Sequence, residues 1–116
     1  MSLQQYEHTV VISVPQELDH HMADKIKREL DPVLWRGGIH SLIFDFHKTT
    51  MMDSSGIGLL TGRYRILKSE QGTIYVTGLS EQLKRVFLIS GLYAIVREID
   101  DVEPIMKHVG GSYDNQ

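Results

Sequence analysis

Apolar residues recur along the chain in two alternating rhythms: short runs of strand length and stripes of helical spacing. Thr9-Val10-Val11-Ile12-Ser13-Val14 is the first run. It is rich in β-branched residues, which suit a pleated surface, and Pro15, with no N–H for a ladder, stops it. Gln4 to His8 has the length of a partner strand. Met22, Ile26, Leu30 and Leu34 then recur every four residues, with Ala23 and Val33 beside them, and Asp19 stands where an N-cap belongs. Pro32 falls inside this stripe. It removes one backbone hydrogen bond and disfavours helix at Asp31, which predicts a kink or a restart before a stop at Gly37-Gly38.

Ser41-Leu42-Ile43-Phe44-Asp45-Phe46 reads as a buried central strand, with Leu42, Phe44 and Phe46 on one face and Ile43 on the other. A loop, His47 to Met52, leads to Asp53-Ser54-Ser55-Gly56. Ile57, Leu60, Tyr64 and Leu67 mark a second helix, with Arg63, Arg65 and Lys68 on its other faces and an end at Gln71-Gly72. Thr73 to Thr77 is a further strand. Ser80 caps a third helix carrying Leu83, Val86, Phe87 and Ser90, and Gly91 stops it. Ile95 to Ile99 is a short last strand. Asp100 and Glu103 can form a capping-box-like pair before a fourth helix with Val102, Ile105, Met106 and Val109 on its buried side, and Pro104 fits its first turn. Gly110 to Gln116 reads as a polar tail. Strands alternating with helices predict an α/β fold whose sheet is at least partly parallel.

Composition narrows the chemistry. The chain has 116 residues, 41% hydrophobic and 23% charged, which suits a single globular domain. Twelve Lys and Arg against fifteen Asp and Glu leave a net charge of -3, so there is no basic field of the kind direct nucleic-acid binding uses. With no cysteine, disulfides, zinc–thiolate sites and cysteine nucleophiles are excluded. The N-terminus lacks the basic-then-apolar pattern of a signal peptide, and no stretch approaches the ~18 apolar residues of a membrane span, so a cytoplasmic location is the expectation.

The stretch richest in chemistry is Met52-Asp53-Ser54-Ser55-Gly56-Ile57-Gly58, which follows a strand and opens a helix. A helix start has unpaired N–H groups and a partial positive charge, so a serine there tolerates a phosphate, which adds ~1.5 to 2 negative charges. Asp53 beside it would repel that charge. The plainer reading is that Asp53 or Ser54 caps the helix. Neither serine sits in the Gly-x-Ser-x-Gly of a nucleophile elbow, and Gly56, Gly58 and Gly62 miss the dinucleotide fingerprint by one residue. These glycines instead thin a helix face for close approach by the sheet or a partner. The six histidines, His8, His20, His21, His40, His47 and His108, form no metal-binding pair. Asp19 and Asp53 can lie near the same end of the sheet, as an acid–base pair or as a cap and a loop acid. Lys84-Arg85, Arg63 and Arg65 read as solvated helix faces more readily than as a phosphate clamp. Met51-Met52 reads as core or rim packing.

Leu18-Asp19-His20-His21, Met52 to Gly58, Gly62-Arg63-Tyr64, Lys84-Arg85-Val86-Phe87 and Ser90-Gly91-Leu92 stand in the order and spacing of a STAS domain. The resemblance is to the bacterial anti-sigma factor antagonists, especially those of sporulation; it covers roughly residues 5–109 and implies one domain over residues 1–109. It implies a small mixed sheet with about four helices packed mainly on one side. It also implies a non-enzymatic switch without cofactor or metal, monomeric alone and forming a heterocomplex with its partner. The unphosphorylated form would bind an anti-sigma factor with serine kinase activity and release a sigma factor. Phosphorylation of Ser54 would end the binding, and a serine phosphatase would restore it. Asp19, His20, His21, Asp53, Ser55, Gly56, Gly58 and Arg63 would flank the site or touch the partner. The chain departs from the family pattern at Val14-Pro15-Gln16, where a glycine is common, and at Pro32. The competing readings are a small serine hydrolase or nucleotide-binding protein using Ser54, and a scaffold module indifferent to Ser54.

Overall fold

The computed structural model describes residues 1–102. Two strands, β1 (Ser2–Tyr6) and β2 (Thr9–Ser13), open the chain. They pair antiparallel with Tyr6 opposite Thr9, so Glu7 and His8 make the turn, and Glu7 takes a left-handed φ of 54°. The partner strand therefore lies earlier than the expected Gln4–His8, because those last two residues are consumed in reversing direction. The chain continues through β3 (Glu17–Leu18), α1 (His20–Trp35), β4 (Ser41–Asp45), β5 (Met51–Met52), α2 (Ser54–Lys68), β6 (Thr73–Thr77), α3 (Glu81–Ser90), a 3-10 turn (Leu92–Ala94) and β7 (Val96–Glu98).

The main sheet has the order β1-β2-β4-β6-β7, parallel at every pairing except the first. From β2 onward each crossover steps the same way across the sheet. Crossovers of one hand taken in one direction place their helices on one face. Accordingly α1, α2 and α3 contribute Ile26, Leu30, Leu59, Leu60, Leu83 and Phe87 to a single core with Val10, Ile12, Leu42, Phe44, Ile74 and Val76 of the sheet. The opposite face carries a smaller cluster around the fully buried Ile43, formed by Tyr6, Val11, Tyr75, Ile99 and Val102. Leu42, Phe44 and Phe46 against Ile43 thus divide as the alternation predicts, with both faces of β4 buried.

Three α-helices and one 3-10 turn are present among the described residues. The expected fourth helix, apart from Val102, and the tail at 110–116 lie outside them, as does His108. Pro32 does not divide the first helix: α1 runs unbroken from His20 to Trp35. Pro32 is exposed, so the Arg28 carbonyl it leaves without a helical partner lies on the solvent side, where water can serve it. Val33 and Leu34, buried immediately after it, hold the last turn to the core.

Arg63 also departs from expectation. It is buried rather than solvated, with its Nε 3.2 Å from Asp31 Oδ1 on α1. The contact is one of charge more than of hydrogen bonding, since Nε, Nη1 and that oxygen find no aligned partner among the described residues. Such a pair fixes which faces of two helices meet more than it adds to stability. The glycines divide as well. A Cβ on Gly56 would overlap Met52 Cγ and stand 2.7 Å from its Sδ and 3.0 Å from Leu18 Cδ2, whereas Gly58 and Gly62 have open space around them. Only Gly56 is thin because the sheet needs it to be.

Two outcomes follow from this packing. Arg63→Met should cost roughly 3 kcal/mol by leaving Asp31 charged and uncompensated, while Arg63→Met combined with Asp31→Leu should recover most of that loss in urea unfolding. Gly56→Ala should destabilise by about 1–3 kcal/mol despite alanine's better helix propensity, because the added methyl overpacks Met52; equal unfolding midpoints for Gly56→Ala and wild type would contradict the close approach.

Candidate functional site

β3 and β5 are only two residues each, and they pair parallel, Glu17 with Met51 and Leu18 with Met52. The sequence showed this pairing only as a loop before Asp53. Two residues carry too little periodicity to read as a strand, and the partner is more than thirty positions away. The faint signal was a repeated order, an apolar residue, then aspartate, then a helix, at Leu18-Asp19 and Met52-Asp53.

That pairing continues one step further, since the Asp53 N–H donates to the Leu18 carbonyl at 3.2 Å. Asp19 and Asp53 therefore occupy matching places. Both are N-caps with nearly the same backbone, φ -97° and ψ -173° at Asp19, φ -97° and ψ -172° at Asp53. Asp19 Oδ1 accepts from the Met22 N–H at 2.9 Å, and Asp53 Oδ1 accepts from the Ser55 N–H at 2.8 Å. The Met22 N–H holds the Asp19 carboxyl below its ordinary pKa; partial desolvation opposes this, and the nearby His21 and His20 assist it. The two carboxylates thus act as caps, each tied to its own helix. Two helix N-termini, each with a partial positive charge, open side by side at this edge of the molecule.

The first helical residues follow the caps. Ser54 is exposed on α2 and its hydroxyl takes no hydrogen bond among the described residues. Ser55 is half-buried, Gly56 is buried against Met52 and Leu18, and Gly58 is exposed one turn beyond Ser54. On α1, His20 and His21 are both exposed, their ring centroids 4.0 Å apart. The structure thus brings Asp19, His20, His21, Asp53, Ser54, Ser55, Gly56 and Gly58 to one edge. It places Arg63 elsewhere, nine residues along α2 from Ser54, a rise of about 13.5 Å, in its contact with Asp31. Nor do the other cations converge on Ser54: Lys84 lies 3.9 Å from Glu81 and 4.0 Å from Glu98, and Arg65 and Arg85 are exposed on their helices.

Chemically, the arrangement offers a free serine hydroxyl on a rigid helix start. No histidine hydrogen-bonds Ser54 among the described residues; His47 is instead held by Asp45, Nδ1 to Oδ1 at 2.6 Å. Among the same residues no group of three or more His, Asp or Glu is placed to hold a metal ion, and no helix is long and apolar enough to cross a membrane.

Residues 1–109 match the model of the STAS domain. An anti-sigma F factor antagonist of Lysinibacillus sphaericus is 36% identical over 84 residues, 72% of each chain. An anti-sigma-B factor antagonist of Listeria monocytogenes is 37% identical over 92 residues, 79% of each. The solved structure of the anti-sigma factor antagonist SpoIIAA in its unphosphorylated form superposes with a TM-score of 0.82 at 32% identity, covering 94% of this chain and 96% of that one. SpoIIAA of Bacillus in its phosphorylated form gives 0.74 at 32% identity, covering 91% and 96%. A five-stranded mixed sheet with its helices on one face, two aspartate-capped helix starts held together by a two-residue parallel pairing, and these likenesses agree: the chain belongs to the STAS domain family, among relatives that are anti-sigma factor antagonists.

Proposed function

We propose that this chain is an anti-sigma factor antagonist whose docking is switched by phosphorylation of Ser54. The unphosphorylated form binds an anti-sigma factor with serine kinase activity in the cytoplasm and frees a sigma factor for transcription. Phosphorylation of Ser54 ends the binding and a serine phosphatase restores it. The relatives are by name antagonists of anti-sigma F and anti-sigma-B factors, and the similar structure SpoIIAA is solved in unphosphorylated and phosphorylated forms, which supports the reading.

The observation that carries it is the position of Ser54: exposed, unengaged, and first on a helix whose start is pinned to the sheet through Asp53 and Gly56. A kinase can reach such a hydroxyl without unfolding anything. The added phosphate sits at the positive end of the α2 dipole, which offsets its repulsion from Asp53 and leaves the fold in place. For a partner, the same two charges are a desolvation cost and a repulsive contact in the middle of the edge it would cover. Ser55 is the poorer acceptor because it is half-buried.

Incubation with a cognate anti-sigma kinase and ATP–Mg should modify Ser54 alone, and Ser54→Ala should abolish the modification. Phosphate mapped to another residue, or retained in Ser54→Ala, would reject the assignment. In calorimetric titration against that partner, Ser54→Ala should bind within about twofold of wild type. The phosphorylated protein should bind at least ~10-fold more weakly, about 1.4 kcal/mol. Equal affinities would favour the scaffold reading.

A further inference from the structure

We propose that His8 and His40 together bind a late first-row divalent cation, of the class of Zn²⁺, at the end of the sheet away from Ser54. The site stands apart from the switch and shares none of its residues.

The two histidines lie far apart in the chain, so no spacing motif joins them. The sheet does. Thr9 is paired with Ser41 in the parallel β2–β4 ladder, and His8 and His40 each stand one residue before that pair. Their backbones are bonded directly, since the His8 carbonyl accepts from the His40 N–H at 2.8 Å and from the Ser41 N–H at 3.2 Å. Both side chains are exposed, with ring centroids 5.3 Å apart. Ser54 follows the opposite ends of these strands, beyond β4 and β5.

That separation suits a shared ion. A metal–nitrogen bond of about 2.0–2.1 Å puts the centre of an imidazole about 3.2 Å from the metal, and two such rings at the tetrahedral angle have centres about 5.2 Å apart. The ring planes differ by 17°, so one ring turns before both aim at one ion. A hydrogen bond holds the His8 ring, whereas the His40 ring makes none among the described residues. Turning His40 about Cβ–Cγ changes its plane and leaves its centre nearly in place. His20 and His21 are the other neighbouring pair, but their centroids are 4.0 Å apart, too close for that angle.

His8 is prepared for ligation. Its Nδ1 lies 2.8 Å from the Gly38 carbonyl. A carbonyl oxygen only accepts, so Nδ1 carries the proton and Nε2 of the neutral ring keeps its lone pair. Gly38 is held in turn, its N–H donating to Glu70 Oε1 at 3.0 Å. Metal-binding histidines are commonly supported in this way, the second ring nitrogen donating to a carbonyl that fixes tautomer and orientation. No third His, Asp or Glu joins the pair among the described residues, so water completes the coordination. Two imidazoles without a carboxylate favour Zn²⁺, Cu²⁺ or Ni²⁺ over Mg²⁺ and Ca²⁺. The bound ion clasps the turn of the β1–β2 hairpin to the start of β4.

Calorimetric titration of the full chain with Zn²⁺ at neutral pH tests this. One ion per chain should bind, with a Kd no weaker than ~0.1 mM. His8→Gln and His40→Gln should each weaken binding at least ~10-fold. His20→Gln, His21→Gln, His47→Gln and His108→Gln should each leave it within about twofold. Zn²⁺ should also raise the urea midpoint of wild type and leave that of His8→Gln in place. Both side chains are exposed, so the His8 and His40 variants keep the fold, which their zinc-free urea midpoints check. Absence of binding up to about 1 mM, affinity retained in His8→Gln or in His40→Gln, or loss of binding in any of the other four variants would each overturn the proposal.

Discussion

The parallel pairing of Glu17-Leu18 with Met51-Met52 is the contact on which the rest of the molecule's surface chemistry depends. It is small, four residues in all, yet it sets two helix starts at one level. Helix N-termini ordinarily keep apart because their partial charges repel. Here each is neutralised by its own aspartate, so two like dipole ends can open side by side. The result is an edge presenting serine and histidine on elements that are anchored to the sheet.

Two further contacts keep that edge rigid, and both trade stability for placement. Gly56 gives up helix propensity so that α2 can rest on Met52 and Leu18, the same residues that join the short strands. Arg63 and Asp31 accept burial without well-aligned hydrogen bonds, and in return α1 and α2 meet on a single pair of faces. A surface that must be recognised in one state and refused in another profits from a fixed scaffold. In the proposed switch charge alone changes, and the binding difference need not be spent on rearrangement.

The fold was legible because its signals are local and periodic. The alternation of Leu42, Phe44 and Phe46 against Ile43 announced a strand buried on both faces, and the four-residue stripe from Met22 to Leu34 announced α1. The expectation that failed was the break at Pro32. Propensity reasoning counts the lost hydrogen bond but not the side of the helix on which it is lost, and burial of Val33 and Leu34 outweighs it. Arg63 was misplaced for a similar reason: a charged residue on a helix suggests solvent until the opposing helix is seen to carry Asp31.

The sequence by itself determined the cap at Asp19, a helix start at Asp53-Ser54 and the α/β class, since each rests on neighbours within a few residues; which of Asp53 and Ser54 caps α2 it left open. Only the tertiary structure decided that the two caps stand together, that Asp53 and not Ser54 caps α2, and that Arg63 lies away from them against Asp31. Those facts depend on which distant segments pair and on the phase at which two helices meet. Strand register and crossover hand set these through contacts more than thirty residues apart, beyond the reach of any local pattern.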